Sequence, residues 1–156
     1  MEGLGESIRR AMESGRPSRP STAPTILTAR DIMTTKVVCL RPTQTMAEAI
    51  AALLKHGISG APVVDGPSRL VGMLSEADCI RPLVSSRFHS QGSPSERLVE
   101  EIMSRSLTTI TLDTDIYSIA DRFLSDGLRR LPVVSQGELM GQVSRRDVLQ
   151  AIQNMG

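Results

Sequence analysis

Two matching stretches of sequence decide the fold of this chain. Residues 57–65 read GISGAPVVD, and residues 127–134, about seventy positions further on, read GLRRLPVV. In both, a glycine precedes a short Pro-Val-Val run that is apolar enough for a buried strand. Residues of the same kind align outside these stretches: Ile32 with Ile102, Met33 with Met103, Leu54 with Leu124, Gly72 with Gly141, Ser75 with Ser144 and Asp78 with Asp147. The chain is therefore predicted to contain two copies of one structural unit.

The sequence pattern of each copy predicts the same order of elements: strand, helix, strand, strand, helix. Short β-rich runs at 37–40 and 107–111 come first, and the hairpins cover 61–64 with 70–74 and 131–134 with 139–143. The first helices carry apolar stripes formed by Met46, Ile50, Leu53 and Leu54, and by Ile116, Ala120, Phe123 and Leu124. The second helices begin near Ser75 and Ser144 and carry Ile80, Leu83 and Val84, and Val148 and Ile152.

This order predicts an α+β fold, similar to an α/β sandwich. A three-stranded sheet with helices on one face cannot bury its other face alone, so the two β-α-β-β-α repeats are expected to pack face to face through their sheets. Capping residues support the helices: Thr45 with Glu48, and Asp115, at N-termini, and Gly57 and Gly127 at C-termini. The predicted divisions are an N-terminal arm at 1–25, a first repeat at 26–85, a loop at 86–95 and a second repeat at 96–154.

The composition counts against several classes of protein. The 156 residues include one Tyr, two Phe and no Trp, too few for base stacking on single-stranded nucleic acid. A formal net charge of +1 supplies no general attraction to DNA or to an anionic membrane. There is no apolar run near the roughly 18 residues of a membrane span and no apolar core of a signal peptide. A cytoplasmic protein is expected.

The chemistry-bearing residues predict neither catalysis nor a metal site. Cys39 and Cys79 are interpreted as unpaired buried thiols. His56 and His89 have no second ligand at metal-binding spacing, and no nucleophile motif is present. The chain is therefore predicted not to be an enzyme, with no catalytic residues and no metal.

The motif Gly-x-x-Ser-x-x-Asp, which closes each repeat at Ser75 and Asp78 and at Ser144 and Asp147, has two interpretations. A serine at a helix N-terminus is suited to a phosphate, and an Asp three residues later can accept hydrogen bonds from ribose hydroxyls. The same spacing also makes a capping box that touches no ligand. The recurrence of the motif in both repeats favours the ligand interpretation.

Together these motifs resemble the cystathionine-β-synthase (CBS) domain family, and specifically a stand-alone tandem pair, or Bateman module. The resemblance covers about residues 29 to 153 and rests on the Ile-Met opening, the Pro-Val-Val strand and the Gly-x-x-Ser-x-x-Asp closing of each repeat. It implies a ligand cleft on either side of the interface between the repeats. It also implies a homodimer assembled through the helices.

The resemblance assigns residues to both clefts. The first would combine Ser75, Asp78, Leu107, Thr108, Arg129, Arg130, Leu131 and Pro132. The second would combine Thr35, Lys36, Val37, Ser59, Gly60, Ala61, Pro62, Ser144 and Asp147. Arg129 and Arg130 resemble the basic pair of nucleotide-sensing members, and arginine forks suit phosphate. Ser59 and Gly60 depart from that pattern and leave Lys36 as the obvious cation of the second cleft.

The implied function is regulatory. An adenosine-containing ligand, AMP, ADP or ATP first and NAD(H) or S-adenosylmethionine as alternatives, would bind between the repeats and change their relative angle, which a partner protein or the dimer mate would sense. One alternative is a structural or interaction module whose clefts stay empty. A weaker alternative is nucleic-acid binding through the arm, which carries Arg9, Arg10, Arg16 and Arg19. No membrane partner is expected.

Overall fold

The structure, a computed structural model, describes residues 25–84 and 94–156. Most of the predicted arm, with its arginines, and most of the predicted loop lie outside those residues. The helices are α1 (Ala29–Ile32), α2 (Met46–His56), α3 (Glu76–Val84), α4 (Val99–Ile102), α5 (Ile116–Asp126) and α6 (Arg145–Met155), with a 3-10 turn at Pro94–Glu96. The strands are β1 (Gly60–Asp65), β2 (Arg69–Ser75), β3 (Arg130–Ser135) and β4 (Glu138–Ser144). In these ranges no helix is both long and apolar enough to cross a bilayer.

The two predicted hairpins join into one antiparallel sheet. Over the described residues the sheet has four strands in the order β1-β2-β4-β3. β1 pairs with β2 and β3 with β4 along their lengths, while β2 and β4 meet where Arg69 pairs with Glu138. The mixed helix-and-strand fold class is confirmed.

The β-rich runs that precede each first helix pair more briefly than predicted. Leu40 lies parallel to Val63, and Ile110 to Val133, at isolated bridges. The Leu40 N–H donates to Pro62 O at 2.9 Å. The next bond of this ladder would need an N–H from Pro62, which proline lacks, and Pro132 ends the second run in the same way.

Each core is completed by a segment from the other repeat. Ala29 of α1 lies in the opening segment of the first repeat but is buried in the core of the second. Val99 of α4 opens the second repeat but is buried in the core of the first. Backbone bonds fix both crossings, since Ala29 N–H donates to Thr114 O and Val99 N–H donates to Gln44 O, each at 2.8 Å. The opening segments of the two sequence repeats, which contain α1 and α4, are thus exchanged between the two cores. We call them the crossing segments.

The glycines of the closing motifs lie where these crossing segments pass. A Cβ on Gly141 would come within 2.8 Å of both Met33 Sδ and Thr34 O. A Cβ on Gly72 would lie 3.0 Å from Ser104 O in the corresponding place. Real Cβ contacts are not this short in close-packed interiors. Packing of the crossing segment therefore explains why the motif contains glycine.

Several apolar residues of the predicted helical stripes are exposed. Leu54 of α2 is 76% exposed and Leu124 of α5 is 82% exposed, so these members of the stripes lie outside the core. A helix covering one face of a sheet buries a narrow stripe, and here the stripe is Met46, Ala49 and Leu53 in α2 and Ile116, Ile119 and Phe123 in α5. On the second helices, Ile80, Leu83, Val84 and Ile152 are exposed as well. Four helices therefore present apolar side chains outward.

The predicted helix ends are confirmed. Thr45 and Glu48 form the capping box of α2, and Asp115 Oδ1 accepts a bond from Ser118 N–H at 2.9 Å at the start of α5. That backbone bond is the main reason why the pKa of Asp115 lies below its ordinary value. Gly57 and Gly127 end α2 and α5 with φ of +62° and +63°, the left-handed region that favours glycine.

Arg145 binds carbonyl oxygens at the end of a neighbouring helix. Its Nε donates to Leu128 O at 2.9 Å and its Nη2 donates to Phe123 O at 3.3 Å. These carbonyls lie at the C-terminal end of α5, where orphan acceptors and the helix dipole favour a cation. Arg145 therefore ties the start of α6 to the end of α5.

The two cysteines are free but differ in exposure. Cys79 is buried in the first core, whereas Cys39 is exposed, so the interpretation of both as buried thiols is wrong for Cys39. Cys39 lies within the short run at 37–40, next to the buried Leu40, so its side chain points to the outer side of that run. Partial desolvation still raises the pKa of both thiols.

Candidate ligand clefts

Both Ser-x-x-Asp turns form complete capping boxes. In the first, Asp78 Oδ2 accepts from the Ser75 N–H at 2.8 Å and from Ser75 Oγ at 3.1 Å, while Ser75 Oγ accepts from Asp78 N–H at 3.3 Å. The Ser144–Asp147 turn repeats these bonds at 2.8, 3.0 and 3.2 Å. The capping function is therefore real, and it engages one oxygen of each carboxylate.

The second carboxylate oxygen has a different partner in each turn. Asp147 Oδ1 accepts a hydrogen bond from Thr34 Oγ1 at 3.3 Å. Asp78 Oδ1 instead pairs with Arg81 Nη1 at 3.1 Å on the same helix. The Asp78 side chain is 11% exposed and that of Arg81 is 70% exposed. Because a carboxylate offers about four lone-pair sites, each Asp retains capacity to accept from a ribose hydroxyl.

Arg130 crosses from the second repeat to the first. It begins β3, and its Nη2 donates a hydrogen bond to Ser59 Oγ. Its Nη1 would lie 2.5 Å from a Cβ built on Gly60, and Gly60 is the strand partner of Ser75. The guanidinium therefore lies beside the N-terminus of α3.

Burial sets the electrostatics of this arginine. Desolvation, followed by the neighbouring charge of Arg129, lowers the pKa of Arg130, while Glu76 opposes that shift. An arginine remains protonated at all physiological pH values. The first cleft thus contains a half-buried positive charge next to the positive end of a helix dipole, an arrangement that favours an anion.

The structure brings together several of the residues predicted for the first cleft. Ser75, Asp78 and Arg130 converge on the N-terminal turn of α3. Leu131 and Pro132 are buried in β3, Leu107 and Thr108 are half-buried between the Ser104 and Ile110 bridges, and Arg129 is exposed. The membership of Leu107 and Thr108 in the first cleft stays a prediction.

The residues predicted for the second cleft divide between two places. Thr35, Lys36 and Val37 follow Thr34, whose hydroxyl reaches Asp147, and Ala61 and Pro62 are buried in β1. Ser59 and Gly60 lie on the opposite side, against the Ser75 turn, because Ser59 O accepts from Glu76 N–H at 2.9 Å. These two residues therefore contact the first cleft.

A pocket of about 190 Å³ opens beside the second cleft. It is lined by Thr35, Val37, Cys39, Val64, Pro67, Ser68, Leu139, Met140 and Gly141. Pockets that enclose a drug-sized ligand are usually about 300 to 1,000 Å³, so this pocket can take part of a nucleotide at its present size. Within residues 25–84 and 94–156, no cluster of His, Cys, Asp and Glu could hold a metal ion.

Sequence reasoning missed Thr34 as a candidate site residue. Its backbone pairs with Gln142, through N–H donation at 2.8 Å and acceptance at 2.9 Å, and this pairing holds its hydroxyl near Asp147. A signal was present, because a hydroxyl residue follows the Ile-Met pair in both repeats, Thr34 in one and Ser104 in the other.

Comparison with known proteins places the chain among relatives of the same architecture. It is 33% identical over 122 residues to a 17.7 kDa protein of Acidianus ambivalens, covering 78% of this chain and 70% of that protein. It is 31% identical to the CBS domain-containing protein YhcV of Bacillus subtilis, covering 76% of this chain and 81% of that protein. Two further archaeal relatives are longer, and the chain spans 42% and 57% of their lengths.

A solved structure has the same fold. The crystal structure of CBSX2 in complex with AMP matches with a TM-score of 0.74 and 26% identity, covering 82% of this chain and 97% of that one. CBSX2 is a CBS-pair protein from Arabidopsis thaliana. A sequence profile of the CBS domain matches residues 29–85 and again residues 99–154 of this chain. The chain therefore belongs to the CBS domain family and carries two CBS domains in tandem.

Proposed function

We propose that the chain is a regulatory module that binds an adenosine-containing ligand, AMP, ADP or ATP, in the first cleft. The observation that carries this proposal is the position of Arg130, which reaches from the second repeat to the N-terminus of α3 beside Asp78. A phosphate there would meet the Arg130 guanidinium and the positive end of the α3 helix dipole, and the Asp78 carboxylate would accept from the ribose. NAD(H) and S-adenosylmethionine contain the same adenosine group and are the alternative ligands.

The relative CBSX2 supports the choice of ligand class, because its crystal structure is a complex with AMP. In this chain the adenine would lie on aliphatic surface, with the half-buried Leu107 as the candidate side chain, because Leu131 and Pro132 are fully buried in β3. None of the chain's three aromatic residues, Phe88, Tyr117 and Phe123, is a candidate contact. Base stacking on a ring is worth about 1–3 kcal/mol, so its absence favours modest affinity.

Binding would be transmitted through the crossing segments. A ligand in the first cleft touches the Ser75 turn of one repeat and Arg130 of the other, so it favours one relative packing of the two. The α4 segment leaves the first core through Ser104, which pairs with Met73 of β2 at 2.9 and 3.0 Å. The proposed module makes and breaks no covalent bond, and its output is a change of shape that a partner protein or dimer mate reads.

A homodimer through the helices is part of the proposal. Outward-facing large apolar residues lie on α2, α3, α5 and α6, and they are Leu54, Ile80, Leu83, Val84, Tyr117, Leu124, Leu149, Ile152 and Met155. Scattered single apolar residues are normal on a surface, but large contiguous patches mark interaction sites. A second copy of the chain offers the same apolar faces and could cover them isologously.

Thermal unfolding with AMP, ATP, NADH and S-adenosylmethionine tests the proposed function. A ligand at about a hundredfold its Kd should stabilise the fold by about 2.7 kcal/mol, which raises the Tm of a chain of this size by several degrees. AMP or ATP is expected to give the largest rise. An unchanged Tm with all four compounds would favour a structural module with empty clefts, the second candidate, which the complete capping boxes of both turns support.

A further inference from the structure

We infer that Ser59 sets how strongly the first cleft prefers a phosphorylated nucleoside over the unphosphorylated one. This inference rests on the proposed function. The Ser59 hydroxyl holds the Arg130 guanidinium that a phosphate would otherwise take. Ser59 is therefore a specificity-determining residue that acts through the arginine.

The guanidinium of Arg130 packs against residues of the first repeat. Ser59 is fixed at the entrance to β1, because its carbonyl accepts the Glu76 N–H at 2.9 Å. Gly60, the next residue, leaves the space that Nη1 occupies, since a Cβ there would come within 2.5 Å of that nitrogen. The corresponding residues of the second repeat are Arg129 and Arg130. The second repeat thus supplies the arginine side chain. The first repeat supplies the space that it fills and one hydroxyl group that accepts its hydrogen bond.

The hydroxyl and a phosphate compete for the same donors. A guanidinium binds phosphate most strongly when two parallel N–H groups engage two oxygens. Nη2 already donates to Ser59 Oγ, and Nη1 lies over Gly60, so the forked edge faces the wall of β1. To grip a phosphate at the start of α3 with both Nη1 and Nη2, Arg130 must turn that edge away from Ser59. The bond to Ser59 therefore lowers the affinity for AMP, while a nucleoside without phosphate leaves Arg130 in place.

Titration calorimetry with AMP and with adenosine measures this competition. In Ser59→Ala the guanidinium loses its competing acceptor, so AMP is expected to bind about fivefold more tightly, a typical effect of one hydrogen bond. Adenosine affinity is expected to stay the same. In Arg130→Ala the AMP affinity is expected to fall by about tenfold or more, again with adenosine unchanged. Ser125→Ala, an exposed serine of α5, is the matched control.

The outcomes separate the inference from the function on which it rests. Equal or weaker AMP binding by Ser59→Ala, with AMP still bound by the wild type, would overturn the inference and leave the proposed function intact. Failure of the wild type to bind either compound would overturn both. Should Ser59→Ala fold poorly, Ser59→Cys keeps a side chain of similar size and accepts hydrogen bonds weakly. Its AMP affinity is expected to lie between those of wild type and the alanine variant, and an affinity no tighter than wild type would contradict the inference.

Discussion

Gly141→Val is expected to lower the free energy of unfolding by about 3 kcal/mol, the upper range for overpacking of a filled interior. The added Cβ would lie 2.8 Å from Thr34 O and 2.8 Å from Met33 Sδ. The methionine can move, but Thr34 O belongs to a backbone that is pinned by its two bonds to Gln142. The crossing segment must therefore shift away from β4. Urea denaturation followed by circular dichroism measures the loss.

Met140→Val is the matched control for this substitution. It places the same side chain on the preceding residue of β4. Because Met140 is exposed, the free energy of unfolding is expected to change by no more than about 0.5 kcal/mol. A Gly141→Val protein as stable as wild type would show that the first repeat's opening segment does not pack on β4. The exchange of segments between the two cores would then be wrong.

Leu54→Asp combined with Leu124→Asp is expected to convert a dimer into a monomer. These two residues are 76% and 82% exposed in the single chain, so the substitutions should cost the isolated fold little. In an assembled interface each would bury a charge against apolar side chains, which weakens association by well over about tenfold. Light scattering after gel filtration should give a mass near twice 16.9 kDa for wild type and near 16.9 kDa for the variant.

Ile26→Asp controls for the general effect of an added charge. Ile26 is an exposed apolar residue that lies outside the helices, and its replacement is expected to leave the dimer intact. A wild-type protein that is monomeric at all concentrations tested would contradict the proposed homodimer. A double variant that remains dimeric would contradict the choice of the α2 and α5 faces.

Local patterns in the sequence predicted much of the fold. The Pro-Val-Val strands, the hairpins and the left-handed glycines at 57 and 127 depend on residues close together in the chain, and all are present. The runs at 37–40 and 107–111 form shorter strand pairings than predicted. Strand propensity carries no information about the backbone donors of the neighbouring strand, and Pro62 has no N–H to donate. Helical spacing alone cannot tell whether a wide apolar stripe, such as the one that includes Leu54, covers one core or also faces a partner.

The candidate site was less predictable, because its contacts join residues from different repeats. The Ser-x-x-Asp spacing locates both turns, yet the same spacing serves capping and ligand binding. The bond between Arg130 and Ser59 spans 71 positions, and the bond between Thr34 and Asp147 spans 113. Such pairs depend on how the repeats pack. The packing of the crossing segments also requires the glycine that both closing motifs contain, so this glycine is not evidence for ligand binding alone.

Calorimetric titration of AMP into wild type and into Asp78→Asn tests the central claim most directly. An Asn at this position keeps one oxygen for the cap of α3 but turns an N–H₂ group toward the ribose, so binding and folding are separated. The wild type is expected to bind AMP, and Asp78→Asn is expected to bind about tenfold more weakly with little change in Tm. Asp121→Asn, an exposed carboxylate of α5, should bind like wild type. Equal AMP affinity for wild type and Asp78→Asn, or no binding by wild type, would contradict the account.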